Sequence, residues 1–434
     1  MKTGIALQKG LVILIFGILL LSMTGGIAKG TLDQPMRTEL SHTIAQGYEE
    51  HANIWTVGNQ ELLDLATAEG WQGTGAIEDP IIISGYKFYA TLIQPVRIWN
   101  TDLHWVFKNN LITTDGVICG VWLDHTSAGI MMNNTFDRCH SGLVIMNAGN
   151  LLVENNTFIG NTGNGIDNEG PFSDSIIRYN EFYDLGADAI TCDNAQSIEI
   201  YENFIDTMQY DGIAINGGND VHIYDNTILN TRTGMRIGSN AEGIVFEDNV
   251  IRNIDTFGIK CSGDSNIISN NIIRNTGEQG ILFTQVLDIY ADNCTVIGNS
   301  IINCTGYSIE IKDGCTEITI TENDFFATNA SCHICDHGAD SVVMGNFYDD
   351  WIAPDADENG IVDVPYELLG SAGSTDASPE ATPVNDIPDD YDYVPMTPTQ
   401  TEFGFDALTL GGISLVAGIG IVICVIIVAL VKKR

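Results

Sequence analysis

The sequence predicts an all-β fold, a right-handed parallel β-helix of about 11–12 coils, and three regularities predict it. An asparagine recurs every 22 to 28 residues along the middle of the 434-residue chain. Each such asparagine has a hydrophobic residue three positions before it and another two positions after it. Polar and apolar residues alternate around it, as in IEIYENFI (198–205), which is the period of a β-strand. The recurring asparagines, here called the ladder, are Asn110, Asn134, Asn156, Asn180, Asn203, Asn226, Asn249, Asn271, Asn299, Asn323 and Asn346.

The ladder predicts where each coil turns and which side chains point inward. Asparagine tolerates the left-handed backbone conformation and its amide can hydrogen-bond locally. We therefore expect each ladder residue at a sharp turn between two strands, with its amide bonded to the asparagine of the next coil. The flanking hydrophobic residues, such as Ile205 and Ile228, are expected inside the solenoid.

One coil is longer than the others, with 28 residues between two ladder asparagines. Its surplus lies within residues 284–292. Long insertions in a solenoid leave the wall as loops, often on a binding face. The sequence therefore predicts a protruding loop in which Asp288 and Tyr290 are exposed.

The two ends of the chain indicate export and a membrane anchor. In residues 1–28, Lys2 and Lys9 precede an uncharged apolar stretch that ends in small residues, the pattern of a signal peptide. Residues 407–431 carry no charge and are long enough, as a helix, to cross a bilayer. The basic tail 432–434 then places the C-terminus in the cytoplasm. We expect a single-pass protein of the cell membrane whose body is extracellular.

The extracellular part divides into three segments. In the N-terminal region 29–79, Asn59 is a candidate N-cap for a short helix that would cover the open end of the solenoid. Residues 80–368 form the β-helix. Residues 369–406 are rich in Ser, Thr, Pro and Asp and predict a disordered acidic stalk.

The charge balance narrows the choice of partners. The net charge is −39 with 18 basic residues, which excludes a nucleic-acid-binding surface. Bound cations or high ionic strength reduce the electrostatic repulsion on a surface this acidic. The remaining candidates are the membrane, extracellular polysaccharide and envelope proteins.

The cysteines are expected to be core residues. Cys192, Cys261 and Cys335 each lie twelve positions after a ladder asparagine, a position that Ile215 and Ile311 occupy in other coils. The sequence predicts all three inside the solenoid, several coils apart and unable to bond one another. The ten cysteines of the chain leave the disulfide pairing open.

Residues 355–366 have the pattern of a calcium-binding loop. The predicted ligands are Asp355, Asp357, Asn359, the main-chain carbonyl of Ile361, and Asp363. Gly360 stands at the sixth position, where a sharp turn is needed. The pattern fails at position 12, where Tyr366 replaces the usual bidentate carboxylate. Calcium is therefore expected as a structural ion of modest affinity at the C-terminal end of the solenoid.

The chain resembles the NosD-like right-handed β-helix proteins of archaeal cell surfaces. The resemblance covers about residues 55–368 and rests on the asparagine ladder, on GWQGTGAIEDPIIISGY (70–86) and on GNFYDDWIAPDADENGIVDVPYEL (345–368). The namesake of the family is an accessory protein for copper delivery. The resemblance implies such a role only weakly, because the eight His and ten Met here form no repeated cluster of copper ligands.

The function favoured by the sequence is a non-catalytic surface protein that binds glycans or builds the cell envelope. The alternative is a lyase or hydrolase acting on anionic polysaccharide, because other β-helix proteins resemble such enzymes. Its candidate residues are Arg236 and Lys260, expected as neighbours on one face, with Asp193 and Asp211 close by. Copper delivery is the second alternative.

The predicted β-helix also carries sequons for N-glycosylation, which are compatible with an exported protein. They lie at Asn133, Asn155, Asn293, Asn303 and Asn329.

Overall fold

The structure, a computed structural model, describes residues 47–351 and 355–385. The predicted signal peptide 1–28, the predicted membrane helix 407–431 and the tail 432–434 lie outside these ranges. Within them, no helix combines the length and the apolar character that a membrane crossing requires.

The chain coils into three parallel walls that form one sheet of 33 strands. Strands one coil apart pair in parallel, as Ile213–Ile215 does with Met235–Ile237. Four long strands turn corners between walls and contribute to two or three of them: Ile166–Arg178, Ile190–Tyr201, Phe204–Tyr224 and Thr227–Glu242. The short strand Ala148–Gly149 pairs at one such corner. The predicted all-β parallel solenoid is confirmed.

The remaining strands of the sheet each belong to a single wall. Those of wall A are Ile54–Val57, Val96–Thr101, Val121–Thr126, Leu143–Met146, Ile259–Cys261, Ile281–Phe283, Ile309–Ile311 and Ile334–Asp336. Those of wall B are Ile81–Ser84, Trp105–Lys108, Gly129–Met132, Leu152–Glu154, Val245–Glu247, Ile267–Ser269, Thr295–Ile297, Thr319–Thr321 and Val342–Met344. Those of wall C are Glu49–Glu50, Tyr86–Tyr89, Leu111–Thr113, Thr135–Asp137, Thr157–Ile159, Glu181–Leu185, Val250–Ile254, Ile272–Thr276, Ser300–Cys304, Asp324–Phe326 and Phe347–Tyr348.

The core runs along the axis of the solenoid as stacked rows of apolar side chains. Ile205 and Ile228, predicted to point inward, are fully buried. In the same row Phe158 stacks on Phe136 and on Phe182, with ring centroids 4.6 and 4.8 Å apart. These separations match the spacing of neighbouring strands, so identical positions in successive coils pack on one another.

The asparagine ladder is continuous and buried. The side-chain N–H of each ladder residue donates to the side-chain oxygen of the next one, at 2.9–3.2 Å, from Asn110 to Asn346. One expectation about it is wrong. The left-handed residue is the one before the ladder asparagine, such as Glu202 (φ 50°) or Asp225 (φ 53°). The turn is made by the outward polar residue, which frees the asparagine to point inward.

Within the described ranges the chain has a single helix, α1 (Asn59–Glu69), which precedes the first full coils. It buries Leu62 and Ala66 in the core and ends at Gly70, which has the left-handed conformation. Asn59 is not its N-cap: that position is Gly58, and the side chain of Asn59 instead bonds Asp102.

The predicted stalk begins too early, because residues 369–385 are ordered against the last coils. The strand Tyr366–Glu367 pairs antiparallel with Thr375–Asp376. Asp376 is fully buried and accepts from the side-chain N–H of Asn346 at 3.1 Å. This segment satisfies groups that the last coil would otherwise leave unpaired, which composition alone does not reveal.

The long coil carries a protruding hairpin, formed by Gln285–Val286 and Ile289–Tyr290. Asp288 is exposed, as predicted, and Leu287 at the tip is 92% exposed. Tyr290 is only half-exposed, because its ring packs against Gly314. The expected exposure of Tyr290 is therefore wrong.

All nine cysteines of the described residues are buried free thiols. Cys192 and Cys261 point into the core as predicted, pairing in register with Ile215 and Ile237. Cys335 does not, because its register partner is Glu310, and Asp336 takes the inward position beside Ile311. Cys335 is buried because the strand-like segment at Leu369 covers it.

Candidate functional site

The outer face of wall A presents one residue per coil in a straight column. From the N-terminal end the column contains Trp55, Arg97, Trp122, Val144, Asp167, Thr191, Ala214, Arg236, Lys260, Leu282, Glu310 and Cys335. Neighbours in such a column are about 4.8 Å apart. Its N-terminal end contains two tryptophans and an arginine, and Arg236 and Lys260 form a basic pair further along.

The basic pair and its predicted carboxylates do come together. Arg236 and Lys260 are register partners. Arg236 bonds Asp211 through Nε and the side chain of Asn216 through Nη1. Asn216 in turn donates to Asp193 at 2.6 Å. The four residues predicted from sequence therefore share one surface, with Asn216 linking Asp193 to the others.

Arg236 and Lys260 differ in what they can do. The guanidinium of Arg236 contacts two carboxylates, that of Asp211 through Nε and that of Asp188 through Nη2 at 3.9 Å. Within the described part of the chain Lys260 has no carboxylate partner, and its ammonium lies 5.8 Å from the ring centroid of Phe257. Lys260 is thus the cation of this face that remains free for a ligand.

Sequence reasoning missed Asp188, which lies three positions before Thr191 of the column. Its carboxylate accepts from the main-chain N–H of Asp211 at 2.8 Å and from the hydroxyl of Thr191 at 2.9 Å. Burial and the neighbouring charge of Asp211 raise the pKa of Asp188. Glu169 on the same face also has a raised pKa, first because of burial and then because of Asp167. Carboxyl groups with raised pKa values on one face are candidates for acid–base chemistry.

The aromatic part of the column was also missed. The guanidinium of Arg97 lies 4.6 Å from the ring centroid of Trp99 and 5.8 Å from that of Trp122. Trp55, the next residue of the column, is 48% exposed. Three tryptophans and an arginine therefore form one surface, here called the tryptophan platform. Its signal in the sequence is weak, because helix α1 interrupts the repeat between Trp55 and Arg97.

The predicted calcium loop is compact. The carboxylate of Asp355 accepts from the main-chain N–H groups of Asn359 (3.1 Å) and Gly360 (2.8 Å). Asp363 accepts from the N–H of Ala356 at 2.7 Å, and Asn359 bonds Asp357. Gly360 has φ 91°, so the sixth position makes the sharp turn that the pattern requires.

Four of the five sequon asparagines are exposed, and one is not. Asn133, Asn155, Asn293 and Asn329 lie on the surface. Asn303 is half-buried, and its side-chain nitrogen donates to Asn275 at 2.7 Å. A glycan at Asn303 would have to break that bond.

Two family models match the chain. One, described as a right-handed β-helix region, matches residues 189–348, and the other, described as a periplasmic copper-binding protein (NosD), matches residues 94–232. Both ranges lie within the parallel solenoid. The chain is a NosD-like right-handed β-helix protein.

Solved structures share the fold of this NosD-like protein. It is similar to the A-modules of two mannuronan C-5 epimerases of Azotobacter vinelandii, AlgE4 and AlgE6. The identities are 13% and 12%, the similarity covers 65% of this chain and 90% and 87% of those chains, and the TM-score is 0.52 for both. At this identity the likeness shows the fold alone. No curated protein matches the sequence.

Among the described residues, the stretch that the NosD model matches contains no group of three His, Cys, Asp or Glu side chains placed to share a metal ion. Its cysteines are buried in separate coils, and His125 and His222 bond Asp124 and Glu247. One group of the described residues brings three metal-ligating side chains together, His333 with Asp349 and Asp350, and it lies beyond the stretch that the NosD model matches. It contains no sulfur, the ligand that Cu(I) prefers.

Proposed function

We propose that the protein binds glycans on the outer face of wall A without converting them. The tryptophan platform carries the proposal. Sugar rings have apolar faces that pack against flat aromatic rings, and tryptophan supplies the largest such surface. Arg97, held between Trp99 and Trp122, adds hydrogen-bond donors for hydroxyl groups.

The charges on this face favour an uncharged glycan. The middle of this face carries five carboxylates, those of Asp167, Glu169, Asp188, Asp193 and Asp211, against two cations, Arg236 and Lys260, and Arg97 lies at the platform. An anionic polymer would meet net repulsion here, whereas neutral hydroxyl groups can donate to the free carboxylate oxygens. A straight column suits a linear chain, because its sites repeat along one axis.

A glycan array probed with the full-length protein tests the proposal. The array should contain neutral polysaccharides beside uronic-acid polymers. We expect binding to neutral chains and a loss of affinity of about tenfold in Trp122→Ala, since a stacked ring contributes about 0.5–1.5 kcal/mol. Trp55→Ala should weaken binding similarly.

The matched control is Tyr89→Ala. Tyr89 is 60% exposed but belongs to wall C, away from the platform. Its removal should leave glycan affinity unchanged. Absence of binding to every glycan, or equal binding by wild type and the tryptophan variants, would overturn the assignment.

Hydrolysis is the second candidate, favoured by the contact of the Asp188 carboxylate with the main chain of Asp211 and by the contacts of both carboxylates with Arg236. The raised pKa of Asp188 suits a general acid, and Asp211, bonded to Arg236, suits the second carboxylate. An assay for reducing ends on the polysaccharides bound in the array tests it. Release of product by wild type and its loss in Asp188→Asn would replace simple binding by hydrolysis.

Further proposals concern location and stability. The pattern of residues 1–28 and 407–431 supports display outside the cell on a C-terminal membrane anchor, with 386–406 as the stalk. The turn geometry of the loop 355–366 supports structural calcium bound by it. The burial of Leu62 and Ala66 in the core supports a capping role for helix α1 at the N-terminal coil.

A further inference from the structure

The last coil brings three metal-ligating side chains to one point. His333 lies directly before the final strand of wall A, and Asp349 and Asp350 directly follow the final strand of wall C. The Nε2 atom of His333 lies 2.9 Å from Oδ1 of Asp349 and 3.6 Å from Oδ1 of Asp350. All three ligand atoms lie within 4.8 Å of one another.

These separations suit a divalent metal ion. Bonds of about 2.0–2.2 Å to nitrogen and carboxylate oxygen place neighbouring ligand atoms about 3.0–3.5 Å apart in tetrahedral or octahedral geometry. The two observed distances from Nε2, 2.9 and 3.6 Å, lie about 0.1 Å outside the two ends of that interval. In the part of the chain that the structure describes, neither aspartate pairs with a lysine or arginine.

Each ligand is held by a second contact that leaves one atom free for the metal. Nδ1 of His333, a fully buried residue, lies 2.9 Å from the hydroxyl of Ser308. The second oxygen of Asp349 accepts from the N–H of Ala327 at 2.8 Å. The second oxygen of Asp350 accepts from the hydroxyl of Tyr366 at 3.3 Å. Such outer contacts orient the ligands of metal sites.

We propose that His333, Asp349 and Asp350 bind one divalent transition-metal ion of the zinc class. One nitrogen and two carboxylate oxygens suit Zn²⁺ and leave at least one position open to water. The ion joins walls A and C at the last coil, on residues that the calcium loop does not use. It is independent of the glycan proposal, which concerns the face of wall A.

Isothermal titration of the full-length protein with Zn²⁺ tests the site. The protein should carry no histidine tag, and millimolar calcium should be present so that zinc does not enter the loop 355–366. We expect one zinc ion per chain. Co²⁺ in its place should give visible absorption bands typical of mixed nitrogen and oxygen ligands.

Asp350→Asn is the informative variant. The side chain of Asp350 is 44% exposed, so its loss should leave the melting temperature in chelator unchanged. Its zinc affinity should fall by about tenfold or more, and Asp349→Asn should behave in the same way. His333→Gln should abolish binding.

His337→Ala and Asp357→Ala are the matched controls. His337 lies four positions after His333 and contacts Ser371 instead, and Asp357 belongs to the calcium loop. Both should bind zinc like wild type. Failure of wild type to bind zinc would show a simple His–Asp ion pair and overturn the site, as would undiminished binding by Asp350→Asn and His333→Gln.

Discussion

At the scale of single residues, the ladder asparagines carry an unusual share of the internal hydrogen bonds. The side chain of Asn203 donates to Asn226, the next ladder residue, and to the main-chain oxygen of Ile177. It accepts from the main-chain N–H and from the side-chain N–H of Asn180. All these groups lie in the interior, where an unpaired polar group costs about 1–3 kcal/mol.

Asn203→Ala should therefore lower the free energy of unfolding by about 2–5 kcal/mol. The lost acceptor removes the partner of the main-chain N–H of Asn180, and the lost donor removes the bond to the main-chain oxygen of Ile177. Urea denaturation measures the change. The exposed Asn219 provides the comparison, because Asn219→Ala should shift stability by no more than about 0.5 kcal/mol. Equal effects of the two substitutions would contradict a structural role for the ladder amides.

The pKa of Asp188 predicts a pH dependence of stability. Burial and Asp211 raise it above the ordinary value of 3.8, so the folded protein binds this proton more tightly than the unfolded chain does. The contribution of Asp188 to the free energy of unfolding is then greatest at low pH and falls as pH rises from about 4 through the raised pKa. Asp188→Asn removes this dependence.

The variant should consequently gain stability relative to wild type as pH increases above about 4, and the gain should level off once Asp188 is ionised in the folded state. Thermal unfolding of both proteins at a series of pH values measures it. A difference that stays constant between acidic and neutral pH would show that Asp188 has no raised pKa.

Single residues also show which parts of the candidate site on wall A could be predicted from the sequence. Arg236, Lys260, Asp193 and Asp211 were predictable because they stand at fixed positions within regular coils. Asp188 was not, since its importance comes from burial and from a bond to the main chain of Asp211. The group of His333, Asp349 and Asp350 has no ligand spacing in sequence, because the coil closes the distance between them.

At the scale of elements, the strands of each wall were predictable and the connections between them were not. Alternation of polar and apolar residues fixes which side of a strand faces inward, as Ile205 shows. The hairpin tip at Leu287 follows from coil length alone. The half-buried Tyr290 does not, because it depends on the space that Gly314 leaves for the ring.

The calcium loop is the element whose stability should respond to ligand. A metal that binds only the folded form adds stability by mass action. Millimolar calcium should raise the melting temperature of wild type, with an affinity in the range of about 10⁻⁴–10⁻³ M because Tyr366 replaces the position-12 carboxylate. Asp357→Ala should abolish most of the rise.

Asp340→Ala is the control for nonspecific effects of removing an acidic residue. It is exposed and lies outside the loop, so it should keep the calcium response. Wild-type melting that is the same in calcium and in chelator would leave the loop as an acidic turn without metal.

At the scale of the whole molecule, charge should govern stability. With a net charge of −39, the acidic side chains repel one another in the folded state, and dissolved ions screen that repulsion. Raising the ionic strength from about 0.01 M to about 1 M shortens the screening length from about 30 Å to about 3 Å. The melting temperature should rise with NaCl and equally with KCl.

Chelator must be present in both series so that calcium does not contribute. A melting temperature that is independent of ionic strength would mean that bound cations, or the spacing of the charges, already neutralise the repulsion. A rise with only one of the two salts would indicate specific cation binding instead.

The hydrogen bond between Asn346 and Asp376 has a consequence for the number of coils in the solenoid. Every ladder amide accepts a hydrogen bond from the coil before it and donates one to the coil after it, because it carries both an acceptor and a donor. Asp376, the last member, accepts from Asn346 but has no N–H to pass on. The side chains of asparagine and aspartate are nearly the same in shape. Replacing the NH₂ group by O⁻ therefore ends the series of hydrogen bonds without disturbing the packing. It ends the series at a defined coil and denies a second molecule the template on which it could continue end to end.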